Sequence, residues 1–114
     1  MLIDPDGYVY NAALGISSRI QGATVTRDLY DEEMKIWQRW PAELFESQVN
    51  PQVTGPEGYY AFFVPAGLYR FLAIATGYLP HTSPDIQVVD EVVHYNIPLT
   101  MENMLYLYLP VVRK

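Results

Sequence analysis

The sequence predicts an all-β, antiparallel sandwich of about seven strands. Short runs rich in Val, Ile, Thr, Tyr and Phe recur at about ten-residue intervals. Between them stand Pro and Gly pairs, which set the backbone angles of tight turns. Where a run is long enough to show a period, its apolar residues alternate, as on a half-buried pleat. All 114 residues are read as one domain, with a core over residues 8–99, an insertion at 31–48 and an added strand at 104–112.

In chain order, Asp4-Pro5-Asp6-Gly7 reads as a turn and Tyr8-Val9-Tyr10-Asn11 as a first strand. Residues 11–22 are loop-like. Ala23 to Tyr30 form a second strand with Ala23, Val25 and Leu29 suited to the inside and Arg27 interrupting the alternation. Residues 31–40 fit two descriptions. Met34/Trp37 and Ile36/Trp40 have helical spacing behind an acidic start, whereas Ile36, Gln38 and Trp40 also alternate as a strand. Pro41 ends that element, and Ala42 to Phe45 read as one helical turn. Strands then follow at Gln52–Thr54, Tyr59–Val64 and Leu68–Ala75, joined by Gly55-Pro56-Glu57-Gly58 and Pro65-Ala66-Gly67. Gly77–Pro80 and Ser83–Asp85 are turns, Ile86–Val89 and Val93–Leu99 strands. Met104 to Val112 alternates Leu with Tyr and reads as a last strand.

Composition narrows function. Thirteen acidic against seven basic residues give a formal charge of −6, with no Lys/Arg cluster for a nucleic-acid backbone or an anionic membrane. No apolar run is long enough to span a bilayer, so membrane insertion is not expected. The chain has no Cys, which removes disulfides and thiolate metal sites. The first residues lack the basic and apolar regions of a signal peptide.

An ordered set of motifs adds a family. Ile20-Gln21-Gly22-Ala23-Thr24-Val25-Thr26, Thr54-Gly55-Pro56-Glu57-Gly58-Tyr59-Tyr60-Ala61-Phe62, Val64-Pro65-Ala66-Gly67-Leu68-Tyr69-Arg70 and Gly77-Tyr78 resemble the G-A-x-V, T-x-x-x-G-x-Y-x-F, P-x-G-x-Y and G-Y pattern of carboxypeptidase regulatory-like domains. The resemblance covers about residues 8–99. It implies a transthyretin-like, Ig-like Greek-key sandwich, shared with collagen-adhesin B-type repeats of bacterial surface proteins. It also implies a non-catalytic spacer, stalk or adhesion module outside the cell, with no cofactor. The ending Tyr108-Leu109-Pro110-Val111-Val112-Arg113 is similar to a short tail of secreted proteins from filamentous green bacteria. The aromatic insertion and the strand after Leu99 depart from the family pattern.

Candidate sites are few. Asp4 and Asp6 before Gly7 suit a turn better than a Ca²⁺ loop, because the further oxygen ligands are missing. Transthyretin-like folds also host intradiol dioxygenases with two Tyr and two His on iron, but His81 and His94 are the only histidines and no supporting spacing accompanies them. The fold's other enzyme, a 5-hydroxyisourate hydrolase, ends in Tyr-Arg-Gly-Ser, unlike Val-Val-Arg-Lys here. The adhesin repeats often carry a Lys–Asn isopeptide bond from an early strand, yet the lysines here are Lys35 and Lys114. The chain is therefore expected not to be an enzyme.

Two binding readings remain. If Tyr60, Phe62, Val64, Tyr69, Phe71 and Ala73 face the core, then Tyr59, Ala61, Phe63, Leu72 and Ile74 face outward, where a wet sheet would be polar. That apolar excess predicts cover by the insertion or by another subunit. The main reading is a self-associating structural module, a homo-oligomer or filament subunit. Leu105, Leu107, Leu109, Val111 and Val112 would form its docking strand, with Tyr59, Phe63, Leu72 and Ile74 in or around the receiving face. The alternative is a carbohydrate-binding or adhesion accessory domain whose glycan platform is Trp37 and Trp40, both on the surface.

Overall fold

The computed structural model describes residues 5–45, 48–89 and 93–102. Among these, nine strands form two sheets. The smaller sheet is built on β1 (Asp6–Asn11). It pairs antiparallel with β5 (Tyr59–Ala61), Gly7 opposite Tyr60, and parallel with β9 (Ile97–Leu99), Val9 opposite Ile97. The larger sheet is built on β2 (Thr24–Asp31) and β6 (Gly67–Ile74), antiparallel over six residue pairs from Thr24↔Ile74 to Leu29↔Tyr69. Beyond β2 lie β3 (Ile36–Arg39) and β4 (Gln52–Val53). Beyond β6 lie β7 (His81–Thr82) and β8 (Ile86–Val88). The all-β sandwich read from the sequence is the fold observed, with one parallel pair that an all-antiparallel reading does not contain.

The period of two explains the core. Val9 on β1, Val25 on β2, Tyr69, Phe71 and Ala73 on β6, and Tyr60, Phe62 and Val64 in the β5 segment all point inward and are buried. Tyr60 meets Phe71 edge-on at 4.9 Å, and Phe62 lies 5.9 Å from Phe71. Both buried phenols donate to carbonyls, Tyr60 to Tyr95 and Tyr69 to Pro65. The Tyr59–Val64 and Leu68–Ala75 runs do not pair with each other, as a simple hairpin reading of the Pro65-Ala66-Gly67 turn suggests. They sit in opposite sheets and meet across the core.

Arg27 corrects the sequence reading. It does not interrupt the alternation of β2 but continues it, pointing inward with no solvent exposure. Its guanidinium carbon lies 4.0 Å from the Phe71 ring centre, 4.6 Å from Tyr69 and 5.1 Å from Phe62. Among the described residues none of its three side-chain nitrogens has a hydrogen-bond partner. Ring faces accept a guanidinium through their quadrupoles, which is why an arginine survives at this core position. Burial pulls its pKa down to about 9, so it remains charged at neutral pH.

Both neighbours of the central pair break at the level of Arg27 and Phe71. On one side β4 reaches Val25 and β3 begins at Asp28. The Asn50 amide fills that gap, accepting from Arg27 N at 2.9 Å and donating to Arg27 O at 2.8 Å and Trp40 O at 3.0 Å. On the other side β7 reaches Leu72 and β8 begins at Tyr69. The Ser83 hydroxyl accepts from Phe71 N at 2.8 Å and Ser83 N donates to Phe71 O at 2.9 Å. Two side chains thus stand in for strand backbone where an unpaired buried amide would be costly.

Asp6 and Gly7 belong to β1 and not to a turn. Gly7 is there because the chain closes in on it: a Cβ would lie 1.9 Å from the Tyr95 carbonyl oxygen. Gly7→Ala must therefore push backbone apart. It is expected to destabilise by at least about 2 kcal/mol in chemical denaturation. Arg27→Met keeps the volume and removes a buried, unpaired charge. It is expected to leave stability unchanged or raise it by about 1–4 kcal/mol in the same measurement.

Candidate binding surface

Of the two descriptions of residues 31–40, the structure takes the strand. β2 turns through residues 32–35 and returns as β3, Asp31 opposite Ile36 and Tyr30 opposite Trp37. Asp31 organises the turn, its carboxylate accepting from Glu33 N at 2.9 Å and Met34 N at 3.1 Å and from the Gln38 amide at 2.7 Å. Lys35 closes it in the left-handed region, φ 58°. Pro41 follows, and Ala42–Leu44 make a single 3-10 turn.

Strand geometry decides the fate of the two tryptophans. Positions three apart share a helix face but lie on opposite faces of a strand. Trp40 turns inward, is 1% exposed, stacks on Phe45 at 5.0 Å and meets Phe62 edge-on at 6.4 Å. Trp37 turns outward and is half-buried. The two-tryptophan platform is therefore corrected: Trp40 is a core residue, and Trp37 alone remains at the surface.

Around Trp37 the register of the larger sheet gathers a group that the sequence reading missed. Tyr30, directly opposite on β2, meets it edge-on at 5.3 Å. Arg70 of β6 lays its guanidinium 4.3 Å from the indole centre and stands 3.7 Å from Asp28, its cross-strand partner. An aromatic face with a cation, a carboxylate and a phenol beside it offers both apolar contact and hydrogen bonds. Arg70 and Asp28 could be linked to Trp37 only by knowing the β2–β3 and β2–β6 pairings.

The other predicted residues are dispersed. Tyr59 and Phe63 lie on the outer side of the smaller sheet's β5 segment; Leu72 and Ile74 lie on the outer side of β6. They occupy opposite sides of the sandwich and do not make one face. Tyr59, Phe63 and Ile74 are each more than 40% exposed, so among the described residues the insertion does not cover them. It lengthens the larger sheet at its edge instead. Leu105, Leu107, Leu109, Val111 and Val112 lie outside the described residues.

The titratable groups do not converge. Asp6 accepts from the Tyr59 hydroxyl at 2.8 Å with one oxygen and pairs through the other with His94 Nδ1. His81 Nε2 sits 2.9 Å from the Tyr95 hydroxyl, and burial lowers its pKa. The two histidines are thus engaged by different partners. Among the described residues no group of three His, Cys, Asp or Glu could hold a metal ion. Lys35 stands in the exposed turn and not on an early strand.

No family model and no curated protein matches the chain. Among solved structures, the sandwich superposes on part of the Bacillus anthracis TIE protein with a TM-score of 0.65 and 15% identity. That match covers 89% of this chain and 17% of the other. The pilus adhesin RrgA of Streptococcus pneumoniae gives 0.62 and 14%, over 88% of this chain and 15% of that one. Catechol 1,2-dioxygenase of Acinetobacter radioresistens gives 0.56 and 13%, over 89% and 52%. At these identities the likeness is one of fold. This chain spans about a sixth of the two bacterial proteins that it resembles first. Its fold is an all-β sandwich of the kind found within them.

The two tryptophans should separate cleanly in solution. Trp37→Phe is expected to leave blue-shifted emission that acrylamide barely quenches, and Trp40→Phe to leave red-shifted, readily quenched emission, as steady-state fluorescence would show.

Proposed function

We propose that this chain is a non-catalytic adhesion or carbohydrate-binding module of a secreted or cell-surface bacterial protein. The observation that carries the reading is the outward Trp37 with Tyr30, Arg70 and Asp28 around it on the outer face of the larger sheet. A half-exposed indole suits the C–H face of a sugar ring, and the flanking charges suit its hydroxyls. Similarity to domains in RrgA, a pilus adhesin, supports the setting. The non-catalytic part rests on His81 and His94 being held apart by separate partners, although the same fold serves a dioxygenase.

A second reading is self-association through the run Leu105–Val112. Its support is the Leu/Tyr alternation of that run and the exposed Ile36, Phe63 and Ile74 on the sandwich.

Glycan-array binding of the whole chain tests the first reading. Binding by the natural chain that falls by at least about tenfold in Trp37→Ala supports it, a loss typical of a central aromatic contact. Retained binding in Trp37→Ala, or none across a broad array, contradicts it.

A further inference from the structure

Edge strands are where a sandwich can accept another chain, and the described edges differ in what they offer. The β5 edge is closed by side chains. The Gln52 amide donates to Ala61 O and accepts from Ala61 N at 3.2 Å, and Gln48 accepts from Phe63 N at 3.0 Å. Beyond β9, Leu79 N donates to Thr100 O at 2.9 Å and Tyr78 bridges Met101. β7 and β8 are only two and three residues long.

β3 is different. Trp40 N donates to Arg27 O, so the alternation of antiparallel bonding turns the backbone groups of Ile36 and Gln38 toward β2 as well. Those of Trp37 and Arg39 point away from the sheet and have no backbone partner among the described residues. The two faces of this edge differ in character. Ile36, 45% exposed, lies on the same side as Leu29, and Met34 is exposed in the adjoining turn. Trp37 and Arg39 lie on the opposite side with Tyr30 and Arg70.

The run Leu105-Tyr106-Leu107-Tyr108-Leu109 alternates Leu with Tyr in sequence, a pattern that would carry the same division if it paired as a strand. We propose that the free edge of β3 receives this run from a second copy of the chain. Its leucines then continue the Ile36–Leu29 side, and its tyrosines continue the aromatic and cationic side of Trp37 and Arg39. Backbone bonds to Trp37 and Arg39 hold the strand, and side-chain matching sets its register. Pro110 ends the ladder on the incoming side. Donor and acceptor are different surfaces, so the contact repeats head to tail. This inference rests on the self-association reading and assigns the receiving site to β3, in place of the Tyr59, Phe63, Leu72 and Ile74 surroundings.

The test is sedimentation velocity with negative-stain microscopy on full-length chains. The natural chain, Ile36→Lys, Ile36→Thr, Leu107→Lys and a 1:1 mixture of the two lysine variants are compared across concentration. Ile36→Thr keeps strand propensity and guards against a folding defect, and retained Trp40 emission confirms the core in every variant. The expected result is polymers from the natural chain and monomers from each lysine variant. The mixture should stop at dimers, since each partner supplies one working surface. Ile36→Thr should need at least about tenfold more protein to assemble, equivalent to about 1.4 kcal/mol per contact. Assembly lost in Leu107→Lys but kept in Ile36→Lys overturns the β3 assignment and leaves self-association standing. Assembly kept in Leu107→Lys removes the proposed occupant. A natural chain that stays monomeric at every concentration overturns both.

Discussion

The antiparallel pairing of β2 with β6, with Arg27 opposite Phe71 at its centre, is the constraint on which the rest of this sandwich depends. A guanidinium without a counterion is expensive to bury, by several kcal/mol after relaxation. Each aromatic contact returns up to about 2 kcal/mol when desolvated. Phe71, Tyr69 and Phe62 surround that one position, and with Tyr60 they also make the aromatic centre of the core. The strands on both outer sides stop at this level, and Asn50 and Ser83 supply the missing backbone partners. Because β4 ends before Arg27, a separate β3 can begin after it. The register of β3 on β2, Trp37 opposite Tyr30, then places Trp37 outside and Trp40 inside.

Much of this was legible in the sequence because strands advertise their faces. Alternation alone points Tyr60, Phe62, Val64, Tyr69, Phe71 and Ala73 inward, and all six are buried. Most of the failures share one cause, namely that alternation reports faces and says nothing of partners. Tyr59 and Ile74 have the same outward parity but belong to different sheets. Arg27 violated a hydrophobicity rule while obeying the period, and the period was the better guide. Gly7 looked like turn chemistry beside Pro5, whereas its reason is the Tyr95 carbonyl, 88 residues later in the chain. Residues 31–40 had two periods in one stretch, and only pairing with β2 selects between them. That selection carried the candidate site with it, since a helix would have put both tryptophans on one face.

Fold and function separate here in a specific way. Similar sandwiches occur in a pilus adhesin and in a dioxygenase. The architecture alone therefore chooses neither, and the side chains decide. In this chain several polar groups near the core are spent on structure. Thr54 donates to Ile20 O at 2.7 Å and accepts from Ala23 N at 2.9 Å, while Tyr60 and Tyr69 serve nearby carbonyls. Among the described residues, the β2–β3 hairpin keeps unspent chemistry at the surface: the Trp37 indole on its outer face and the outward backbone of β3 at its edge.

The claim that this hairpin is the working surface can be tested with two resonances. The chain has two tryptophans, and their indole N–H signals report the outer face and the core separately. A ¹⁵N spectrum of the chain, recorded across protein concentration and with a glycan panel, should shift or broaden the Trp37 indole signal while the Trp40 signal stays fixed. A Trp37 signal unmoved under every condition, with changes confined to residues of the smaller sheet such as Tyr8 or Tyr59, would contradict the account.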